Sequence, residues 1–230
     1  MTLQFVRVGL FYDMLEYIME QIFIIAALIL SIVIHEMAHG YAANALGDPT
    51  ARLAGRLSGN PFVHLDLLGS IIIPAILFIT HAGMLFGWAK PVPYNPYNLR
   101  NQKWGEAMVA IAGPAINLFL AIVFAGLIRL ADVLSLNANF LGLASYIVYI
   151  NILLACFNLI PLPPLDGSKI IKALLPFKAA RQYQEFVYKI ESFGIFATFA
   201  IVFIFINLLW QPFSQVVGAI FTLMTGLRLF

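Results

Sequence analysis

The chain has 230 residues, of which 62% are hydrophobic and 10% charged, and its mean hydropathy is +0.91. An ordinary soluble domain carries charge on about a quarter of its residues, so this composition excludes one and describes a protein whose solvent is lipid. The formal net charge of +2 is spread thinly, without the basic cluster that a nucleic-acid backbone needs, and nucleic acid is excluded as a partner.

In chain order, a first helix is expected from Leu15 to Leu46, ended by Gly47, Asp48 and Pro49. At about 1.5 Å per residue it is long enough to cross a bilayer. It reads as retained rather than cleaved, because an acidic stretch precedes it and ionisable groups lie within it. Further apolar runs cover Leu67 to Phe86, Ala107 to Leu130, Leu143 to Ile160, Phe193 to Trp210 and Phe213 to Leu227, the last short enough to lie in the interface instead. The fold class is therefore an all-α polytopic membrane protein, a single integral-membrane domain over residues 1–230 with about five or six membrane segments. Between the second and third runs, FGWAKPVPYNPYN reads as an extended proline-rich hairpin near the membrane surface.

Basic residues in short loops set orientation. Lys169, Lys172, Lys178, Arg181 and Lys189 follow the fourth run; Lys90, Arg100 and Lys103 precede the third; Arg52 and Arg56 follow the first. All three loops are expected in the cytoplasm, which leaves Arg7 and the Arg129 turn outside. The first and fourth runs are then parallel, and the second must enter and leave on one side. Pro74 near its middle suits a re-entrant hairpin, with a plain crossing as the alternative. Lys169, Lys172, Lys178 and Arg181 are expected to meet lipid headgroups.

The chemistry is concentrated in SIVIHEMAHGYAANALG. His35 and His39 stand four residues apart, so a helix puts both imidazoles on one face, where they can share a metal, with Glu36 beside them as a general base. Three ionisable groups inside an apolar span are costly unless paired or metal-bound, which makes the cluster functional by default. The single cysteine, Cys156, cannot build a thiolate cage, so the remaining ligands must be histidine or carboxylate. Zinc needs a third protein ligand, and the candidates are Asp48, His64, Asp66, His81 and Asp166. Asp166 is preferred: it lies in CFNLIPLPPLDGSK just after the fourth run, where three prolines deny regular helix and Gly167 permits a turn. The parallel first and fourth runs also bring it near the histidines.

In these motifs the sequence resembles the site-2 protease family of intramembrane zinc metalloproteases, in its short bacterial branch. HEMAHG is similar to that family's zinc helix and NLIPLPPLDG to its second motif. AGPAIN (Ala112 to Asn117), GRLSGNPFVHLDLLGS and FGWAKPVP resemble segments of the short branch, so the likeness covers most of the chain from Ile32 to Lys169. The resemblance implies one Zn2+ per chain held by His35, His39 and Asp166, with Glu36 as base. It implies hydrolysis of peptide bonds within or near transmembrane segments of membrane-protein substrates, as in regulated intramembrane proteolysis. It also implies a bacterial inner-membrane protein whose site opens toward the cytoplasm, and no PDZ or CBS domain fits in the length. Asn158 and Asn117 are suggested as amides that hydrogen-bond an unwound substrate backbone, and Lys90 to Asn95 as an edge to which a substrate strand adds. The rival from another class, a metal-binding membrane protein or transporter that cuts nothing, gives Glu36 no task. Serine and aspartyl intramembrane proteases lack their G-x-S-G and G-x-G-D motifs here.

Overall fold

A computed structural model describes residues 2–58, 60–80 and 89–228. Among them there is no strand, and four helical stretches are long and apolar enough to cross a membrane: Met14–Ala45, Gly105–Arg129, Ala138–Asn158 and Ala200–Thr225. The helices are α1 (Thr2–Ala45), α2 (Thr50–Leu53), α3 (Ile73–Ile79), α4 (Gly105–Arg129), α5 (Ala138–Asn158), α6 (Asp166–Leu174), α7 (Phe177–Glu191), α8 (Ile195–Ile204) and α9 (Trp210–Thr225).

The centre is a bundle of α1, α4 and α5, with α9 laid against α4 and α5. Small residues make it possible. Ala121 and Ala125 of α4 and Ala144 of α5 are buried against Val148, Ile152, Val217 and Phe221, so the backbones approach closely, as helices do in lipid where packing rather than water exclusion drives association. α1 and α5 run parallel: Glu20 pairs with Tyr146, and further along both helices Ser31 pairs with Asn151. Arg129, at the end of α4, donates to the carbonyls of Leu223 and Met224, satisfying two acceptors that the end of α9 leaves open.

The two final apolar runs are not separate. α8, a π-helical stretch Phe205–Leu209 and α9 follow one another without a break. Pro212, in the first turn of α9, has no N–H to give and its ring crowds the turn before it; widening to π-type bonding just ahead of it lets the helix continue. The last run is thus part of a spanning-length helix rather than an interfacial one.

The second run behaves differently. The described helical part of it, the π-helical Leu67–Ile72 and α3, has six and seven residues, about 20 Å at 1.5 Å per residue. The residues flanking the run meet. The Lys90 N–H donates to the His64 carbonyl at 2.8 Å, and the buried Arg56 guanidinium bridges the carbonyls of Val63 and Lys90. The residues flanking the second run thus lie side by side; residues 81–88, the last part of that run, lie outside the described residues.

After its return the proline-rich stretch is pinned by Asp48, which is fully buried. Asp48 accepts from the Thr50 hydroxyl at 2.5 Å, the Asn95 N–H at 2.6 Å, the Asn98 amide at 2.8 Å and the Thr50 N–H at 3.2 Å. Burial alone would raise its pKa, but these donors outweigh it and hold the carboxyl below its ordinary value. The end of α1 and the segment that crosses it are thereby fixed together.

Candidate metal centre

His35 and His39 lie on the face of α1 that meets α4. Their Nε2 atoms are 3.1 Å apart, and each is 3.1 Å from Asp166 Oδ2. All three side chains are buried, and these atoms form the group among the described residues able to hold a metal.

The close approach of α4 depends on Gly113. A Cβ there would stand 2.5 Å from His35 Nε2 and 2.6 Å from His39 Cε1, so a side chain of any size would displace both rings. Next to it, Pro114 interrupts the hydrogen-bond ladder of α4, and one turn back the Val109 carbonyl accepts from His39 Nδ1 at 2.8 Å. A carbonyl can only accept, so Nδ1 carries a proton, and in the neutral ring His39 Nε2 presents a lone pair. His35 is treated likewise. Its Nδ1 donates to Asn117 Oδ1 at 2.5 Å, while Asn117 Nδ2 donates to Asn151 Oδ1 at 2.7 Å and to the Ser31 carbonyl at 3.4 Å. Asn151 then donates to Ser31 Oγ at 3.0 Å.

Asn117, read from the sequence as an amide for a substrate backbone, is held by partners within the protein. It is fully buried, and its amide bonds to His35, Asn151 and Ser31. Asn151 and Gly113 were not singled out in the sequence; an amide in the middle of an apolar run was the available signal for Asn151. Asn158 lies half-buried at the end of α5, its amide donating to the Leu154 carbonyl at 3.0 Å, beside the turn that leads to Asp166.

Asp166 is the first residue of α6. Gly167 serves a purpose other than a turn: a Cβ would collide with the carbonyls of Leu159 and Ile160, so glycine lets α6 press onto the end of α5. Lys172 forms an ion pair with Glu106 of α4, which holds α6 at the mouth of the bundle, and Lys169 lies 3.8 Å from Asp166 Oδ1. These two lysines face the protein; of the basic residues expected at headgroups, only Lys178 and Arg181 are fully exposed.

The other candidate ligands stand elsewhere. Asp48 pins the loop, Asp66 accepts from the Gly69 N–H at 2.8 Å to begin the π-helical stretch, and the buried His64 donates from Nε2 to the Ser58 carbonyl at 3.1 Å. His81 lies outside the described residues. Glu36 points toward the proline-rich segment, where the Val92 N–H donates to its Oε2 at 3.1 Å. With that donor spent and none on Pro91 and Pro93, the segment offers a poorer edge for an added strand than its extended form suggested.

The donor set fits a zinc ion. With both Nδ1 atoms protonated, two imidazole lone pairs and a carboxylate oxygen face one another at 3.1 Å, a repulsive arrangement unless a cation lies among them. Tetrahedral bonds of about 2.0–2.1 Å would set such ligand atoms about 3.3 Å apart, close to the spacing seen.

Comparison with known proteins agrees with this chemistry. Peptidase family M50 matches residues 124–205, the part that carries Asn158 and Asp166. YwhC of Bacillus subtilis, which bears a provisional zinc-metalloprotease name, is 37% identical over 188 residues, covering 79% of this chain and 80% of its own. Rip2 of Mycolicibacterium smegmatis, similarly named, is 30% identical over 66% of this chain, which spans only 57% of that protein. The zinc metalloprotease MJ0392 of Methanocaldococcus jannaschii is 27% identical over 66% of this chain, which spans 34% of its length. No solved structure matches the chain significantly.

Proposed function

The chain belongs to peptidase family M50, the zinc metalloproteases of the site-2 protease type, and on that premise we propose that it cleaves membrane-protein substrates within or near their transmembrane segments, in the manner of regulated intramembrane proteolysis. It is a membrane zinc metalloprotease; the substrate and the working residues are the proposal. The observation that carries it is the buried triangle of His35, His39 and Asp166, two of whose members lie within a helix long and apolar enough to span a membrane.

His35, His39 and Asp166 would hold the zinc. Bound there, zinc supplies a Lewis acid that lowers the pKa of water and polarises a carbonyl. Glu36 takes the proton of the attacking water on its carboxylate and returns it to the leaving amine, with the Val92 N–H holding one of its oxygens in place. Asn117 fixes the His35 tautomer and Val109 that of His39, so both Nε2 lone pairs stay directed inward. Asn158, beside the entry to Asp166, hydrogen-bonds the substrate backbone where its helix unwinds.

Incubating the detergent-purified protein with single-span membrane proteins should yield fragments whose new ends, mapped by mass spectrometry, fall in or within a few residues of the span. Cuts confined to soluble loops would refute the intramembrane reading.

The proposed orientation places the site toward the cytoplasm of a bacterial inner membrane, with the domain comprising residues 1–230. The joined ends at His64 and Lys90 support placing the loops on either side of the second run on one face, and the basic residues of those loops support the cytoplasmic one. No residue of α7 is buried, and it exposes Phe177, Phe186 and Tyr188 beside Lys178 and Arg181, the pattern of a helix lying among headgroups. With Cys156 replaced by serine, cysteines at the exposed positions Leu53 and Tyr97 should both react with a membrane-impermeant maleimide from the cytoplasmic side alone. Labelling of position 97 from outside would mean that the second run crosses.

A further inference from the structure

The two oxygens of Asp166 face different partners. Oδ2 lies 3.1 Å from both histidine Nε2 atoms, whereas Oδ1 lies 3.8 Å from Lys169 Nζ, one turn along α6. The same ammonium stands 5.5 Å from the centre of the Tyr94 ring, within cation–π range. Tyr94 belongs to the proline-rich segment, two residues beyond Val92, whose N–H is given to Glu36. That segment is fixed at both ends, by Arg56 on the Lys90 carbonyl and by Asp48 on the Asn95 N–H.

A carboxylate beside a divalent cation can bind through one oxygen or swing to offer both. Binding through both would fill space at the metal that water and a substrate carbonyl need, so a hydrolytic site gains from a group that occupies the second oxygen. Lys169 is the cation paired with that oxygen here, at 3.8 Å. Its spacing of three residues from Asp166 is set by the helix, and the Tyr94 side chain stands beside the same ammonium and hydrogen-bonds it.

We infer that Lys169 is a positioning residue: held between Asp166 Oδ1 and the Tyr94 ring, it keeps Asp166 a one-oxygen metal ligand and joins the segment over Glu36 to the ligand set. The inference rests on the assignment of Asp166 as ligand.

Cobalt(II) substitution of the full chain in detergent tests it, because visible absorption is strong for four-coordinate cobalt and weak for five-coordinate. The unaltered chain should give the strong spectrum. Lys169→Met should weaken it and lower zinc affinity, measured by chelator competition, by about 10–100-fold, the range for loss of an outer-sphere partner. Lys169→Arg should keep both values. Tyr94→Leu, which leaves α6 intact, should shift both in the same direction by a smaller factor and decides the matter if Lys169→Met does not fold. An unchanged spectrum and affinity in Lys169→Met, or in Tyr94→Leu where that must stand in, would overturn the inference, as would a weak spectrum in the unaltered chain. Retention of metal by Asp166→Ala would instead refute the ligand assignment beneath it.

Discussion

Replacing Glu36 with glutamine is expected to slow peptide cleavage by about 10²–10⁴-fold, the span that general acid–base catalysis covers, with zinc still bound. Glutamine has nearly the same shape, and its amide oxygen can still accept the Val92 N–H that Glu36 accepts at 3.1 Å, so the segment over the site keeps its place. What disappears is the ability to take and return a proton. No ligand is removed, because the atoms that converge come from His35, His39 and Asp166. Metal analysis and single-turnover cleavage on the same preparation check both halves, and activity within tenfold of the unaltered protein would take the role of base away from Glu36.

Asp166→Ala should act on the metal itself. It removes the sole anionic atom of the triangle and leaves two neutral imidazoles, so zinc affinity should fall by more than the roughly 10–100-fold that loss of an outer-sphere partner costs, and cleavage should fall to background. His64→Ala serves as comparison. His64 is buried and histidine is a zinc ligand by type, yet it bonds to the Ser58 carbonyl in another part of the fold, so that variant should keep its zinc even if its stability drops. Zinc lost from His64→Ala and kept by Asp166→Ala would reverse the assignment.

What could be read in the sequence was the chemistry that depends on residue type and short spacing. His35 and His39 four apart needed only helix geometry to share a face, and the parallel course of α1 and α5 followed from counting charges in loops. What could not be read depends on which atoms a neighbouring helix brings up. Asn117 looked like an amide free for a substrate because its partners, His35 and Asn151, are 82 and 34 residues distant. Gly113 was visible only as part of AGPAIN, and the two imidazoles against it come from α1, more than 70 residues away in the chain. Lys172 counted as a charge for lipid, but Glu106 of α4, 66 residues away, takes it inward. The joining of the last two runs was hidden because Pro212 reads as a break, and the π-helical turn that accommodates it carries no sequence mark.

The line of hydrogen bonds from Ser31 through Asn151 and Asn117 to His35 bears on how the enzyme comes into being. Its members sit on α1, α4 and α5, and hydrocarbon has no water to satisfy them while they wait for one another. A nascent chain with only α1 and α4 in the bilayer holds the His35–Asn117 pair but leaves Asn117 without its Asn151 partner, and Asp166, which follows α5, has not yet been synthesised. The arrival of α5 closes the line and delivers the third metal-binding side chain in the same step. On the proposed ligand assignment, a chain that has not yet reached α5 and α6 lacks Asp166 and cannot complete the metal centre.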